Sequence, residues 1–191
     1  MSSAFDFNQY VLKRQFLALG GKFRVYAPGE KLVLYVEQKL FKLREDIRVY
    51  ADEGKAQEVL TIKARQIIDF SAAYDVVDSA SGQKVGALRR KGLASMLRDE
   101  WEVLDVNDNV IGKLFEDSMG LALLRRFLSN LVPQNYDLLM GSTRVADYKQ
   151  NFNPFTYALN IDFSMDAAKR LDRRLGLAAS ILLAAIEGRQ Q

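Results

Sequence analysis

From residue 22 to residue 163 the chain is mostly short runs in which apolar residues alternate with polar ones, each run closed by a turn signal. Alternation with period two is the pattern of a half-buried strand. Lys22–Ala27 (KFRVYA) precedes Pro28-Gly29-Glu30, a turn composition. Leu32–Glu37, Leu40–Arg44, Ile47–Ala51 and Val59–Ala64 follow, with Asp52-Glu53-Gly54 as a further turn. The pattern returns in Tyr136–Met140, Thr143–Lys149 and Thr156–Phe163. Residues 1–21, ending in Gly20-Gly21, read as an irregular lead-in.

An internal repeat sits in the middle. Tyr74-Asp75-Val76-Val77-Asp78, a loop with Ser81-Gly82, and Val85-Gly86-Ala87-Leu88 are matched by Trp101-Glu102-Val103-Leu104-Asp105, a loop with Asn107-Asp108-Asn109, and Ile111-Gly112-Lys113-Leu114. Each unit predicts a β-hairpin whose second strand carries a glycine at a bulge or a close backbone approach. Trp101, matched by Tyr74, is expected in the core rather than at a membrane interface.

Two stretches break the strand pattern. In Asp117–Leu131, Leu121, Leu124, Leu128 and Leu131 share one helical face, and Pro133 ends the amphipathic helix they predict. Leu171–Ile186 (LDRRLGLAASILLAAI) is uncharged from Leu175 onward and apolar on every face. A helix of that kind is buried in protein or spans a bilayer. The uncharged part reaches only about 18 Å, short of the bilayer core. A buried helix is therefore expected, and no transmembrane segment. Ser164 or Asp166 is its candidate N-cap, Asp172 adds negative charge to its first turns, and Gly188 suits its C-terminal cap.

About eleven candidate strands with one amphipathic helix and one all-apolar helix predict a closed antiparallel β-barrel around the C-terminal helix, in one domain over residues 1–191. Small residues such as Gly176 and Ala178 either leave a cavity beside the helix for an apolar ligand or let the barrel wall come close.

Composition narrows the function. The chain has no cysteine and no histidine. Disulfides, thiol nucleophiles, histidine-dependent triads and zinc–cysteine sites are excluded within it. The carboxylate pairs Asp99-Glu100, Asp105/Asp108 and Glu116-Asp117 fall at strand ends and turns, where acidic residues are ordinary. There is no glycine-rich phosphate loop. The expectation is no enzyme and no cofactor. A net charge of +3 is well short of a nucleic-acid binder but tolerates an anionic surface. The N-terminus matches neither a signal peptide nor a myristoylation start, so a cytoplasmic protein, peripheral at a membrane, is expected.

Several stretches carry a resemblance to a known family. Tyr10-Val11-Leu12-Lys13-Arg14-Gln15-Phe16 with Lys22-Phe23-Arg24-Val25-Tyr26 resembles the opening of LURP-one-related proteins. Val36 through Leu43, Tyr50-Ala51-Asp52, and the tail from Phe163 through Glu187 resemble later parts of that family. The resemblance implies a Tubby-like fold, shared with phospholipid scramblases: a barrel of about twelve strands around a hydrophobic C-terminal helix. It also implies a non-enzymatic role. The Tubby phosphoinositide pocket does not carry over, because its lysine and arginine motif has no counterpart here. The scramblase calcium segment corresponds to Asn151 through Asp162 and Asp166, where amides stand in place of carboxylates and turn and cap roles account for the residues better.

Basic residues cluster at Arg89-Arg90-Lys91, Arg125-Arg126 and Arg173-Arg174. These are the candidate contacts for anionic phospholipid headgroups or phosphoinositides, at about 1 kcal/mol for each residue near the surface. The competing readings are a solvated charged rim and a protein-interaction module centred on the Asp117–Leu131 helix. Arg173 and Arg174 stand near a helix N-terminus, where positive charge is unfavourable, so acidic partners such as Asp166 or Asp172 are expected.

Overall fold

The computed structural model describes residues 3–15, 21–38, 46–65, 72–91, 100–116, 134–151 and 157–186. Twelve strands run in order: β1 (Gln9–Gln15), β2 (Gly21–Ala27), β3 (Lys31–Gln38), β4 (Ile47–Tyr50), β5 (Glu58–Ala64), β6 (Ala73–Asp78), β7 (Lys84–Arg90), β8 (Glu100–Leu104), β9 (Val110–Glu116), β10 (Asn135–Met140), β11 (Thr143–Gln150) and β12 (Tyr157–Asp162). Each is antiparallel to its predecessor, and β1 also pairs with β12, closing the barrel. Helix α1 (Arg173–Ile186) follows. The predicted strand Leu40–Arg44, the amphipathic helix Asp117–Leu131 and Gly188 lie outside the described residues.

The alternating runs became strands because one set of side chains turns inward. In β2 every second residue from Gly21 to Ala27 is buried, and Leu34, Val36, Val76, Leu114 and Leu159 join the same core. Helix α1 is that core's other half, with every residue from Leu175 to Ala185 buried. Its 14 residues rise about 21 Å, close to the height of a seven-residue strand. Full burial of a Leu or Ile side chain is worth about 1.5–3 kcal/mol, so the helix and the inner wall stabilise each other.

The first strand corrects the expectation for residues 1–21. Gln9–Gln15 is not part of an irregular lead-in; it pairs with β2 and with β12, where Leu12 meets Leu159. Its partner β12 lies at the far end of the chain, so local pattern gave no sign of the pairing.

The internal repeat folds as two equivalent hairpins. Val76 pairs with Gly86 and Val103 with Gly112, and the register shifts one step later in both, after Val76 and after Val103. Both glycines also sit where no side chain fits. A Cβ on Gly86 would stand 2.4 Å from the Leu104 carbonyl oxygen, and one on Gly112 would stand 2.7 Å from that of Leu139. In α1, a Cβ on Gly176 would come within 2.6 Å of the Phe163 ring. At Gly86 and Gly176 the small residues bring wall and helix close together.

Overpacking of this kind costs about 1–3 kcal/mol. Gly86→Ala and Gly112→Ala are each expected to lower the unfolding free energy by that amount, measured by urea denaturation. Equal stability in both variants would contradict the close approach.

Candidate functional site

Antiparallel order sorts the strand ends onto two rims. One rim holds the ends of β2, β4, β6, β8, β10 and β12, and with them the start of α1. The other holds the ends of β1, β3, β5, β7, β9 and β11. They are called here the helix-start rim and the far rim.

Arg173 and Arg174 lie at the helix-start rim, and both have the acidic partners expected of them. Arg173 Nη1 donates to Asp166 Oδ2 at 2.8 Å, a pair almost wholly shielded from solvent. Arg174 reaches Asp172 at 2.6 Å and Asp78, at the end of β6, at 3.0 Å. The guanidinium of Arg173 also covers the Phe163 ring, 4.7 Å from its centroid.

The helix cap differs from the expectation. Ser164 and Asp166 do not cap α1. Asp172 does, accepting a hydrogen bond from the Arg174 N–H at 2.9 Å. Asp166 instead accepts from the backbone N–H groups of Arg170 at 2.9 Å and Leu171 at 3.1 Å. Burial pushes the Asp166 carboxyl up. The Arg173 hydrogen bond and those two N–H groups outweigh it and hold the pKa below the usual carboxylate range. Asp162 accepts from the Ser164 N–H at 2.7 Å, the turn role its position suggested. Among the described residues no group of acidic side chains is arranged to hold a metal ion.

Arg89-Arg90-Lys91 ends β7 at the far rim, and the strand divides the cluster. Arg90 pairs with the buried Trp101, so it shares Trp101's inward face, and it is half-buried. Trp101 itself is 1% exposed, its ring 6.0 Å from that of Tyr74. Arg89 lies across from Glu102, and Glu102 from Lys113, on the outer face. Arg89 contacts Glu102 at 2.5 Å, and Lys91 contacts Glu102 and Glu100, each at 3.1 Å. Burial raises the Glu102 carboxyl, but Arg89 and Lys91 hold its pKa below the usual range. Arg89, Lys91 and Lys113 face two carboxylates, so the patch keeps a positive excess. Arg125 and Arg126 lie outside the described residues, between β9 and β10; that stretch leaves the barrel at Glu116 and re-enters it at Asn135, both on the far rim.

Of the acidic pairs, Asp99 and Asp117 lie outside the described residues, Glu100 pairs with Lys91, and Asp105 and Asp108 have structural partners. Asp105 accepts from the N–H groups of Asn107 and Asn109 within its own turn. Asp108 is held by Arg65 at 2.6 Å and Lys84 at 2.7 Å, which bring its pKa down to about 2. Sequence reading missed this Arg65–Asp75–Lys84–Asp108 network, because its members come from four separate stretches. Among the described residues, grooves of about 470 Å³ open on the outside over β1, β12 and β11, beside Lys13, Lys149 and Asp162, and at the helix start, beside Asp78 and Arg174.

This geometry defines a closed twelve-stranded antiparallel barrel threaded by an apolar helix. A family model described as LURP-one-related matches residues 32–184, and the chain belongs to that family. A solved protein of Arabidopsis thaliana shares the fold, with a TM-score of 0.50 at 12% identity over 95% of this chain and 91% of that one. No curated protein matches the sequence. Family and fold together suggest a binding module. Among the described residues no helix is long and apolar enough to cross a membrane.

Asp166→Asn leaves Arg173 buried without its counter-charge, and breaking such a pair costs about 3–5 kcal/mol. The folded-state pKa of Asp166 lies below its unfolded value of about 3.9. Its contribution is therefore complete above that value and is lost as pH falls through the depressed folded value. Urea denaturation of the two proteins should give a gap that is constant near pH 7 and narrows below about pH 4. A gap unchanged at pH 2.5 would assign the loss to packing instead.

Proposed function

We propose that this protein is a non-enzymatic module that associates peripherally with anionic phospholipid headgroups. The observation that carries the reading is the division of the cations between the rims. Arg173 and Arg174 are engaged by Asp166, Asp172 and Asp78 at the helix-start rim. Arg89 and Lys91 stand on the outer face at the far rim, paired with Glu102 and Glu100 but with Lys113 beside them to leave a positive excess, and the stretch carrying Arg125 and Arg126 starts and ends there. The contacts for a headgroup are thus Arg89, Lys91, Arg125 and Arg126. Arg90 supports the rim from its inner side, and Arg173 and Arg174 fix the helix start.

A protein partner that binds the same rim is the second reading, favoured by the apolar residues around Arg125-Arg126: LALLRRFL, residues 121–128. Charge distinguishes the two. Lipid binding requires anionic headgroups and weakens as salt screens them, with a Debye length near 8 Å at physiological ionic strength.

Co-sedimentation with vesicles tests the proposal. The intact protein is expected to pellet with phosphatidylcholine vesicles containing phosphatidylserine, less so at high salt, and not with phosphatidylcholine alone. At about 1 kcal/mol per basic residue, Arg125→Glu/Arg126→Glu should weaken binding by at least about tenfold. Binding indifferent to lipid charge, or none in any condition, would sink it.

A further inference from the structure

The groove over β11, β12 and β1 follows from the register of those strands with β2. Lys149, Asn160, Val11 and Tyr26 stand opposite one another in turn, so they form one row across the outer face. The row is long at both ends and short in the middle, where Asn160 and Val11 leave a trough of about 470 Å³. Small-molecule sites span about 300–1,000 Å³, so the trough is of ligand size. The turn Pro28-Gly29-Glu30 lines it beside Tyr26, and Asp162 lines it on the same strand as Asn160. Lys13 holds the Tyr26 ring, its Nζ 5.0 Å from the centroid.

The charges along the trough decide what it can hold. Lys13 lies 3.6 Å from Glu30, and Lys149 lies 2.8 Å from Asp147, which Arg144 also meets at 2.9 Å. Asp162 accepts from the Ser164 N–H at 2.7 Å and from Gln9 Nε2 at 3.3 Å. An anion would face Glu30, Asp147 and Asp162, and a cation would face Lys13 and Lys149. A wholly apolar ligand would strip water from all of them, which is costly for charged groups. A neutral hydroxyl meets none of these objections. It donates one hydrogen bond and accepts two, so it can give to a carboxylate and take from an ammonium while both ion pairs stay in place. Between the charges lies the exposed Asn160 amide, which has no side-chain partner among the described residues and offers both donors and an acceptor. Beside it are the apolar surfaces of Val11, Pro28 and the Tyr26 ring. A pyranose presents the matching surfaces, with hydroxyls around its edge and C–H groups on its faces.

We infer that this groove is a binding site for a neutral saccharide. Asn160 and Asp162 take its hydroxyls, Tyr26 and Val11 meet a C–H face, and Lys13 and Lys149 bound the ends. The site is independent of the lipid reading. In the ring of strands β1 stands opposite β7, so the groove lies on the other side of the barrel from Arg89 and Lys91.

Titration of isotope-labelled protein with maltose, cellobiose and N,N′-diacetylchitobiose, followed by backbone amide shifts, tests the site. Citrate and spermidine serve as the anionic and cationic comparisons. The expected result is that at least one disaccharide shifts the amides of Val11, Lys149 and Asn160 together and saturates in the millimolar range, while citrate and spermidine leave them in place. Asn160→Ala should weaken that binding by about fivefold, the worth of one hydrogen bond. Asn160→Trp should fill the trough and abolish it. Asn160 is exposed, so both variants are expected to keep the parent's urea midpoint. No shift in the groove with any of these disaccharides overturns the site. Disaccharide binding that Asn160→Trp leaves intact overturns its location, and groove shifts produced by citrate or spermidine instead overturn its chemistry.

Discussion

A helix that is apolar on every side has to be surrounded, and that requirement organises the molecule. Leu175 to Ala185 present no face to water, so the surrounding wall has to be continuous. An antiparallel sheet meets the requirement when its first and last strands pair. Closure also removes the free edges along which a twelve-stranded sheet would aggregate. The pairing of β1 with β12, from Gln9 with Asp162 to Arg14 with Tyr157, is thus as important as any contact of the helix itself.

Enclosing the helix leaves a difficulty at its start, where four backbone N–H groups lack helical partners and two consecutive arginines stand against the dipole. Local acids resolve it. Asp172 caps the backbone and pairs with Arg174, while Asp166 neutralises Arg173 and takes two preceding N–H groups. Asp78, from the β6–β7 hairpin, ties that hairpin to the helix. Tyr148 anchors the next turn, its hydroxyl donating to the Gly176 carbonyl at 3.1 Å. Because these arginines are consumed in holding the helix, their appearance as a basic cluster in the sequence does not signal a free binding surface.

Much of the barrel was legible because its signals are local. Strand pattern marked eleven of the twelve strands, the repeat identified two matching hairpins, and Gly86 and Gly112 announced their bulges. What escaped depends on partners remote in sequence. QYVLKRQ has three adjacent apolar residues followed by two cations, an unremarkable stretch until β12 and β2 flank it. Only its likeness to the family's opening drew notice to it. The cap was misplaced for a related reason: Ser164, Asp166 and Asp172 are all acceptable caps, and the point at which the chain enters the barrel decides among them. Arg89-Arg90-Lys91 looked like one cluster because sequence proximity ignores the strand's alternation, which turns Arg90 inward.

The same alternation, applied to whole strands, sorts the connections onto two rims. In an up-and-down barrel successive connections alternate between the rims, so a chain can treat its two ends independently by varying every second link. Nothing in folding requires the two sets to differ: tight polar turns would close both rims equally well. Here the stretches between β1 and β2, β3 and β4, β5 and β6, β7 and β8, β9 and β10, and β11 and β12 each carry Phe, Leu or Ile. The proposed headgroup contacts Arg89 and Lys91 therefore stand at the end of the barrel opposite the arginines that hold the helix.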